Sequence, residues 1–151
     1  MKHKAIRTVL VGIEAIIGLG AISGGIAILS GDFEQWLPLS WLQGTPFSDY
    51  TIPGLILLMV IGGGMLLAAA TVFIQREWAV LLSALMGLVM IGFEIFEIAI
   101  IDRYADAIVP SSIMQQVLMS GLGLVIFGLA SYLWMSEYRE HHFPTSPVSQ
   151  A

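Results

Sequence analysis

The chain has 151 residues, of which 57% are hydrophobic and 11% are charged, and its mean hydropathy is +0.87. A composition this apolar excludes a soluble globular domain. With no cysteine, the chain forms no disulfide, thiolate metal site or thiol redox centre, and its net charge of −5 without a basic patch excludes nucleic-acid binding.

Four apolar runs are each long enough to cross a membrane. They cover about 5–29, 53–74, 78–101 and 112–135. At about 1.5 Å per residue, a run of roughly 22–25 residues matches a hydrocarbon layer about 30 Å thick. The sequence therefore predicts an all-α fold, a bundle of four transmembrane helices. We expect a single membrane domain over 1–140 and a disordered cytoplasmic tail over 141–151.

The basic residues near the ends of these runs lie mainly on one side of the membrane. One side carries the basic residues Lys2, Lys4, Arg7, Arg76 and Arg139. The other side carries Asp32, Glu34, Asp49, Asp102 and Asp106, with Arg103 as its basic residue. Because basic flanking residues favour the cytoplasm, we expect both termini to be cytoplasmic.

The segment 30–52, between the first two runs, is aromatic and acidic. Phe33, Trp36, Leu37 and Trp41 are spaced as one face of a short helix that Pro38 interrupts. Tryptophan is typical of the membrane–water interface, so we predict a short interfacial helix between the first two spans. It serves either as a packing cap and interface anchor or as a lid over an outer or lateral cavity.

A resemblance rests on the sequence LQGTPFSDYTIPGL at 42–55 and on Phe93-Glu94 in the third run. These residues resemble small, uncharacterised bacterial membrane proteins with four spans. The resemblance covers the loop and the two middle runs. It implies a multi-pass protein of the bacterial inner membrane and carries over no activity and no residue roles.

Three carboxylates lie inside the predicted spans. Glu14 is in the first run, and Glu94 and Glu97 are in the third. A charge at this depth costs about 3 kcal/mol on insertion scales, so these side chains favour the bundle interior, a partner or protonation. Glu94 and Glu97 share a helix face with the small residues Ala79, Ser83 and Gly87 and with Met90. Glu14 aligns with Gly18, Ala21 and Gly25.

Folding the third and fourth runs into a hairpin sets the depth of their polar residues. Gln116 then comes near the depth of Glu97, and Ser120 comes near the depth of Glu94. Glu14 lies about 12 Å from Glu94 along the membrane normal, so direct contact is not expected. The candidate site comprises Glu94, Glu97, Gln116, Ser120 and Glu14.

These carboxylates leave several functions open. The first is the binding or passage of a small apolar molecule, a proton or a cation through a cavity that the glutamates line, with Glu94 protonated at neutral pH. The second is a structural or accessory subunit in which the glutamates are interhelical hydrogen-bonding groups and the glycine faces dock another membrane protein. The third is an enzyme acting on lipid or quinone.

The sequence predicts no catalytic residue, no metal and no cofactor. No histidine lies within a span, so the carboxylate–histidine set of a dinuclear metal site is missing. The expected partners are the lipid bilayer and either further copies of the chain or another membrane protein.

Overall fold

The computed structural model describes residues 3–32, 37–100 and 110–138, and these residues are predominantly helical. The long helices are α1 (Lys4–Ser30), α2 (Thr51–Phe73), α3 (Glu77–Ile100) and α4 (Pro110–Glu137). Each is long and apolar enough to span a membrane. The predicted all-α four-helix fold is therefore confirmed, with helix bounds that differ from the predicted ones by one or two residues.

The four helices form a ring. α1 packs on α2, α2 on α3, α3 on α4, and α4 returns to α1. α1 therefore faces α3 across one diagonal of the bundle, and α2 faces α4 across the other. The start of α1, the α2–α3 turn at 74–76 and the end of α4 lie together at what we term the turn end. The opposite end, beside residues 37–50, is the loop end.

Glycines bring the neighbouring helices into backbone contact. A Cβ atom built on Gly62 in α2 would lie 3.0 Å from the backbone nitrogen of Ile22 and 3.2 Å from the carbonyl oxygen of Gly18 in α1. A Cβ atom on Gly87 in α3 would lie 2.7 Å from the carbonyl oxygen of Gly123 in α4. Packing of this kind drives helix association where lipid surrounds the bundle.

The segment between α1 and α2 contains a 3-10 helix, Leu39–Leu42. The predicted helical face included Leu37, but the helix begins only after Pro38, which is extended with φ −61° and ψ 137°. Trp41 lies on this helix and is half-buried. Phe33 and Trp36 lie outside the described residues, and so does the predicted tail at 141–151.

One hydrogen bond within this segment and one ring contact with the bundle hold it in place. The Tyr50 hydroxyl donates a hydrogen bond to the carbonyl oxygen of Pro38 over 3.2 Å. The Phe47 ring packs edge-on against the Phe96 ring of α3, with 5.9 Å between their centroids. The segment therefore bends back over the loop end of α3.

Candidate functional site

Glu14 lies at the centre of the bundle. Its side chain is 0% exposed, and neither carboxyl oxygen has a hydrogen-bond partner among the described residues. Gly18, Ala21 and Gly25, which the sequence places on the same face of α1, are also buried. The inward face predicted for α1 is the face that the structure buries.

Helix register places one small residue of each other helix beside Glu14. Arg7 of α1 contacts Glu137 of α4. Seven residues from this contact, toward the bundle interior, lie Glu14 on α1 and Ala130 on α4. In the α2–α3 hairpin Gly64 touches Met86, which brings Ala68 to the depth of Ser83. The Ser83 hydroxyl lies beside the Glu14 carboxyl without forming a well-aligned hydrogen bond to it, so the two pairs share one level. We call Glu14, Ala68, Ser83 and Ala130 the Glu14 layer.

The small residues of the Glu14 layer accommodate the carboxyl but offer it little polar contact. Ala68, Ser83 and Ala130 are all fully buried. Ser83 donates its own hydrogen bond to the carbonyl oxygen of Ala79 over 3.3 Å. Because a hydroxyl both donates and accepts, Ser83 is the side chain of this layer able to turn toward Glu14.

Apolar residues close the Glu14 layer on both sides, one helical turn away on every helix. Toward the turn end they are Leu10, Val72, Val80 and Leu133, all 0% exposed. Toward the loop end they are Ile17, Met65, Met86 and Ile126, none more than 9% exposed. In this conformation the Glu14 carboxyl is separated from both ends of the bundle.

The other predicted site residues lie nearer the loop end. Glu94 and Gln116 are buried, Glu97 and Ser120 are half-buried, and Glu94, Glu97 and Gln116 each make a polar or electrostatic interaction. Glu94 is eleven residues beyond Ser83 on α3, about 16 Å along the helix, so Glu14 belongs to a different level of the bundle. The pairing of Gln116 with Glu97 and of Ser120 with Glu94 stays a prediction.

Glu97 lies close to Tyr50 at the loop end. Tyr50 is half-buried just before α2, and its pKa is raised, first by burial and then by the negative charge of Glu97. Nearby, the backbone N–H of Thr51 donates to Asp49 over 2.8 Å, which holds the pKa of the exposed Asp49 carboxyl below its ordinary value. The loop end is therefore acidic, in agreement with the charge division of the sequence.

The turn end holds a polar cluster that the sequence does not reveal, because Arg7 resembles the other basic residues that flank the spans. Arg7 is 8% exposed, and its Nη2 donates to the Glu137 carboxylate and, over 2.7 Å, to the Tyr138 hydroxyl. One available signal was position, because Arg7 precedes Glu14 by seven residues and so occupies the same face of α1.

A separate pocket of about 210 Å³ opens between α2 and α3. Its walls are the apolar side chains of Ile56, Ile61, Val89, Phe93 and Phe96. Ile56 and Ile61 belong to Ile56–Gly63, where α2 widens from α-helical to π-helical hydrogen bonding. This pocket suits an apolar group, and none of the glutamates lines it.

The described residues contain no group of three or more metal-binding side chains. The chemistry at the bundle centre is therefore that of one buried carboxyl group beside one hydroxyl group. Comparison with family models, curated proteins and solved structures finds no match for this chain.

Proposed function

We propose that this protein is a small integral membrane protein of the bacterial inner membrane, with both termini cytoplasmic, that passes protons through its bundle. In this proposal Glu14 binds and releases the proton. The supporting observation is a carboxyl group that is 0% exposed and lacks a hydrogen-bond partner among the described residues. An ionised carboxylate is costly in such a place, so release of the proton requires water or a new partner to reach Glu14. Proton binding is thereby coupled to opening of the bundle.

The contents of the Glu14 layer favour a proton over a metal cation. Hard cations require about six or more oxygen ligands. The layer offers one carboxyl and the Ser83 hydroxyl, and its other two members, Ala68 and Ala130, contribute methyl groups. A small apolar molecule is disfavoured for the same site, because the four helices already fill this level with fully buried side chains.

Glu94 and Glu97 would then exchange the proton with the loop-end side. Met65 and Met86 lie between Glu14 and these residues, followed by Met90 one turn nearer Glu94. Methionine side chains are unbranched and flexible, so this part of the core is able to repack more readily than a core of β-branched residues. A transient opening among the methionines would connect the two levels.

Proton flux into liposomes tests the proposal. The purified chain is reconstituted, a potassium diffusion potential is imposed, and internal pH is followed with a trapped dye. We expect E14Q to lower the flux to that of protein-free liposomes, because glutamine fills the same space but carries no exchangeable acid proton. E77Q is the matched control, since Glu77 begins α3 at the turn end and lies outside the Glu14 layer.

The proposal fails if E14Q, still helical and thermally stable, conducts as well as the parent chain. It also fails if the parent protein gives no flux above protein-free liposomes.

An accessory subunit remains the second candidate, and outward-facing glycines favour it. Gly12 and Gly20 of α1, and Gly121 and Gly128 of α4, have open space where a Cβ atom would lie. Such positions let another transmembrane helix approach closely. Native mass spectrometry of the protein extracted with its own lipid separates the cases. A stoichiometric second protein supports the accessory role, and a homo-oligomer supports passage of protons.

A further inference from the structure

The strongest unassigned feature is the polar cluster at the turn end, formed by Arg7, Glu137 and Tyr138. It joins helices that are distant in sequence, since 130 residues separate Arg7 from Glu137. The Arg7 guanidinium also lies 5.9 Å from the centroid of the Tyr138 ring. The Arg7 and Glu137 side chains are only 10% and 23% exposed, so this is not a solvated surface ion pair.

Tyr138 extends the cluster to the other two helices. Its hydroxyl accepts the hydrogen bond from Arg7 and donates one to the carbonyl oxygen of Gln75 over 3.4 Å. Gln75 lies in the α2–α3 turn, where its φ of 59° belongs to the left-handed region. One cluster thus connects α1, α4 and the α2–α3 turn.

The cluster lies next to the apolar layer that separates the Glu14 site from the turn end. That layer consists of Leu10, Val72, Val80 and Leu133, one residue from each helix. Leu10 is three residues from Arg7, and Leu133 is four residues from Glu137, so each lies about one helical turn inside the ion pair. Moving α1 away from α4 at this end would part the layer above Glu14.

In this closed arrangement, one polar atom of the cluster lacks a hydrogen bond. The Nη1 nitrogen of Arg7 is buried and has no hydrogen-bond partner among the described residues. A buried polar network that is only partly satisfied is less stable than one in which every group is paired. An open form in which water reaches this nitrogen would recover part of this loss.

We propose that Arg7, Glu137 and Tyr138 form a gate that controls access from the turn end to the Glu14 site. The three are positioning residues, because they hold α1, α4 and the α2–α3 turn together and do not themselves contact Glu14. The functional meaning of this gate rests on the proposed role of Glu14. Its structural claim, that the cluster keeps the apolar layer closed, is testable without any transport assay.

Cysteine accessibility supplies the test, because the chain has no native cysteine. V72C places one thiol in the apolar layer with little change of volume, and a charged maleimide reports how fast water reaches it in detergent micelles. We expect slow labelling of V72C alone and labelling faster by about tenfold when R7Q is added, since the charged hydrogen bonds of Arg7 are lost. E137Q should act in the same direction.

H3A is the matched control. His3 also connects α1 to α4, through an edge-on contact with Tyr132 at 5.4 Å, but it lies outside the cluster. We expect V72C labelling to be unchanged by H3A. Should R7Q fail to fold, Y138F replaces it, because it removes the hydroxyl that bonds Arg7 and Gln75 while the ring stays.

The gate is ruled out if V72C is labelled at the same rate in the parent, R7Q and Y138F backgrounds. It is also ruled out if H3A raises the V72C labelling rate as much as R7Q does. The proposed function fails by a different result, namely the absence of Glu14-dependent proton flux. The labelling outcome is read independently of that flux, so the two failures are distinguishable.

Discussion

At the residue scale, burial distinguishes Glu14 from the other intramembrane carboxylates. The sequence pattern points first to Glu94 and Glu97, which share a face of α3 with small and polar residues. Glu94 is 5% exposed and Glu97 is half-buried, whereas Glu14 is 0% exposed, at the level where helix register also places Ala68, Ser83 and Ala130. A carboxyl group held this way is stable in its neutral form, and charging it needs water or a counter-charge.

The pair Tyr50 and Glu97 gives a prediction about titration at the loop end. Burial and the charge of Glu97 both raise the pKa of Tyr50 above its ordinary value of 10.0. We expect E97Q to lower this pKa while leaving it above 10.0, because burial remains. Tyrosinate absorbance in an alkaline titration measures it, with Y50F subtracted to remove the other three tyrosines.

The same shift has a consequence for stability. The folded chain holds the Tyr50 proton more tightly than the unfolded chain does. This contribution to stability is complete below the ordinary tyrosine pKa of about 10 and is lost as pH rises from there through the raised pKa of the folded state. An identical Tyr50 titration in the parent and E97Q proteins would show that Glu97 does not act on this hydroxyl.

At the element scale, glycines decide how closely the helices pack, and α2 changes its hydrogen bonding beside them. The π-helical segment Ile56–Gly63 ends where Gly64 receives the side chain of Met86, whose Cε would lie 2.6 Å from a Cβ atom there. Segments of π-helix frequently occur at functional positions. Here the segment borders the apolar pocket between α2 and α3 on one side and the buried methionines Met65, Met86 and Met90 on the other.

Two glycines of α3 give a matched prediction about this packing. G87A places a methyl group 2.7 Å from the carbonyl oxygen of Gly123 and 2.9 Å from the backbone nitrogen of Phe127. Neither backbone atom moves without separating α3 from α4, so we expect destabilisation by about 1–3 kcal/mol. Unfolding by denaturant in micelles, followed by helical circular dichroism, measures the change.

The control for G87A is G92A on the same helix. Nothing lies within 4 Å of a Cβ atom at Gly92, so this change should leave stability unchanged or raise it by up to about 1 kcal/mol through helix propensity. Equal losses in both variants would show that the α3–α4 approach at Gly87 is not specific.

At the scale of the whole molecule, polar groups follow the bundle axis from one end to the other. The Arg7 cluster lies at the turn end, and Glu14 and Ser83 lie further into the bundle. Glu94 and Gln116 lie toward the loop end, and Glu97 and Tyr50 lie at the loop end itself. Apolar layers separate Glu14 from the groups on either side. Under the proposed function, protons pass along this path only when the apolar layers open, so we expect conduction to be gated and slow.

The orientation of this axis in the membrane is the last prediction. Basic flanking residues predict that the turn end faces the cytoplasm and the loop end faces outward. We expect a membrane-impermeant maleimide added to intact cells to label S48C, which is exposed in the loop, and not R76C in the α2–α3 turn. Permeabilised cells provide the control, since both thiols should then react. Labelling of R76C in intact cells would reverse the proposed orientation.

The sequence by itself determined the four helices and the inward faces of α1 and α3. A span needs about 20 apolar residues, and polar or small residues at helical spacing identify the side that avoids lipid, which is why Glu14, Gly18 and Ala21 proved to be buried together. The α3 face that carries Ser83, Gly87 and Glu94 was identified in the same way and is buried as predicted.

Only the tertiary structure decided which residues of different helices meet. Periodicity gives the face of each helix but not its register against three neighbours, and that register is set by the backbone contacts of Gly18 with Gly62 and of Gly87 with Gly123. Nothing in the separate segments links Ala68, Ser83 and Ala130 to Glu14, or Arg7 to Glu137. Close packing of four helices brings these residues to common levels and so makes one carboxyl group the centre of the bundle.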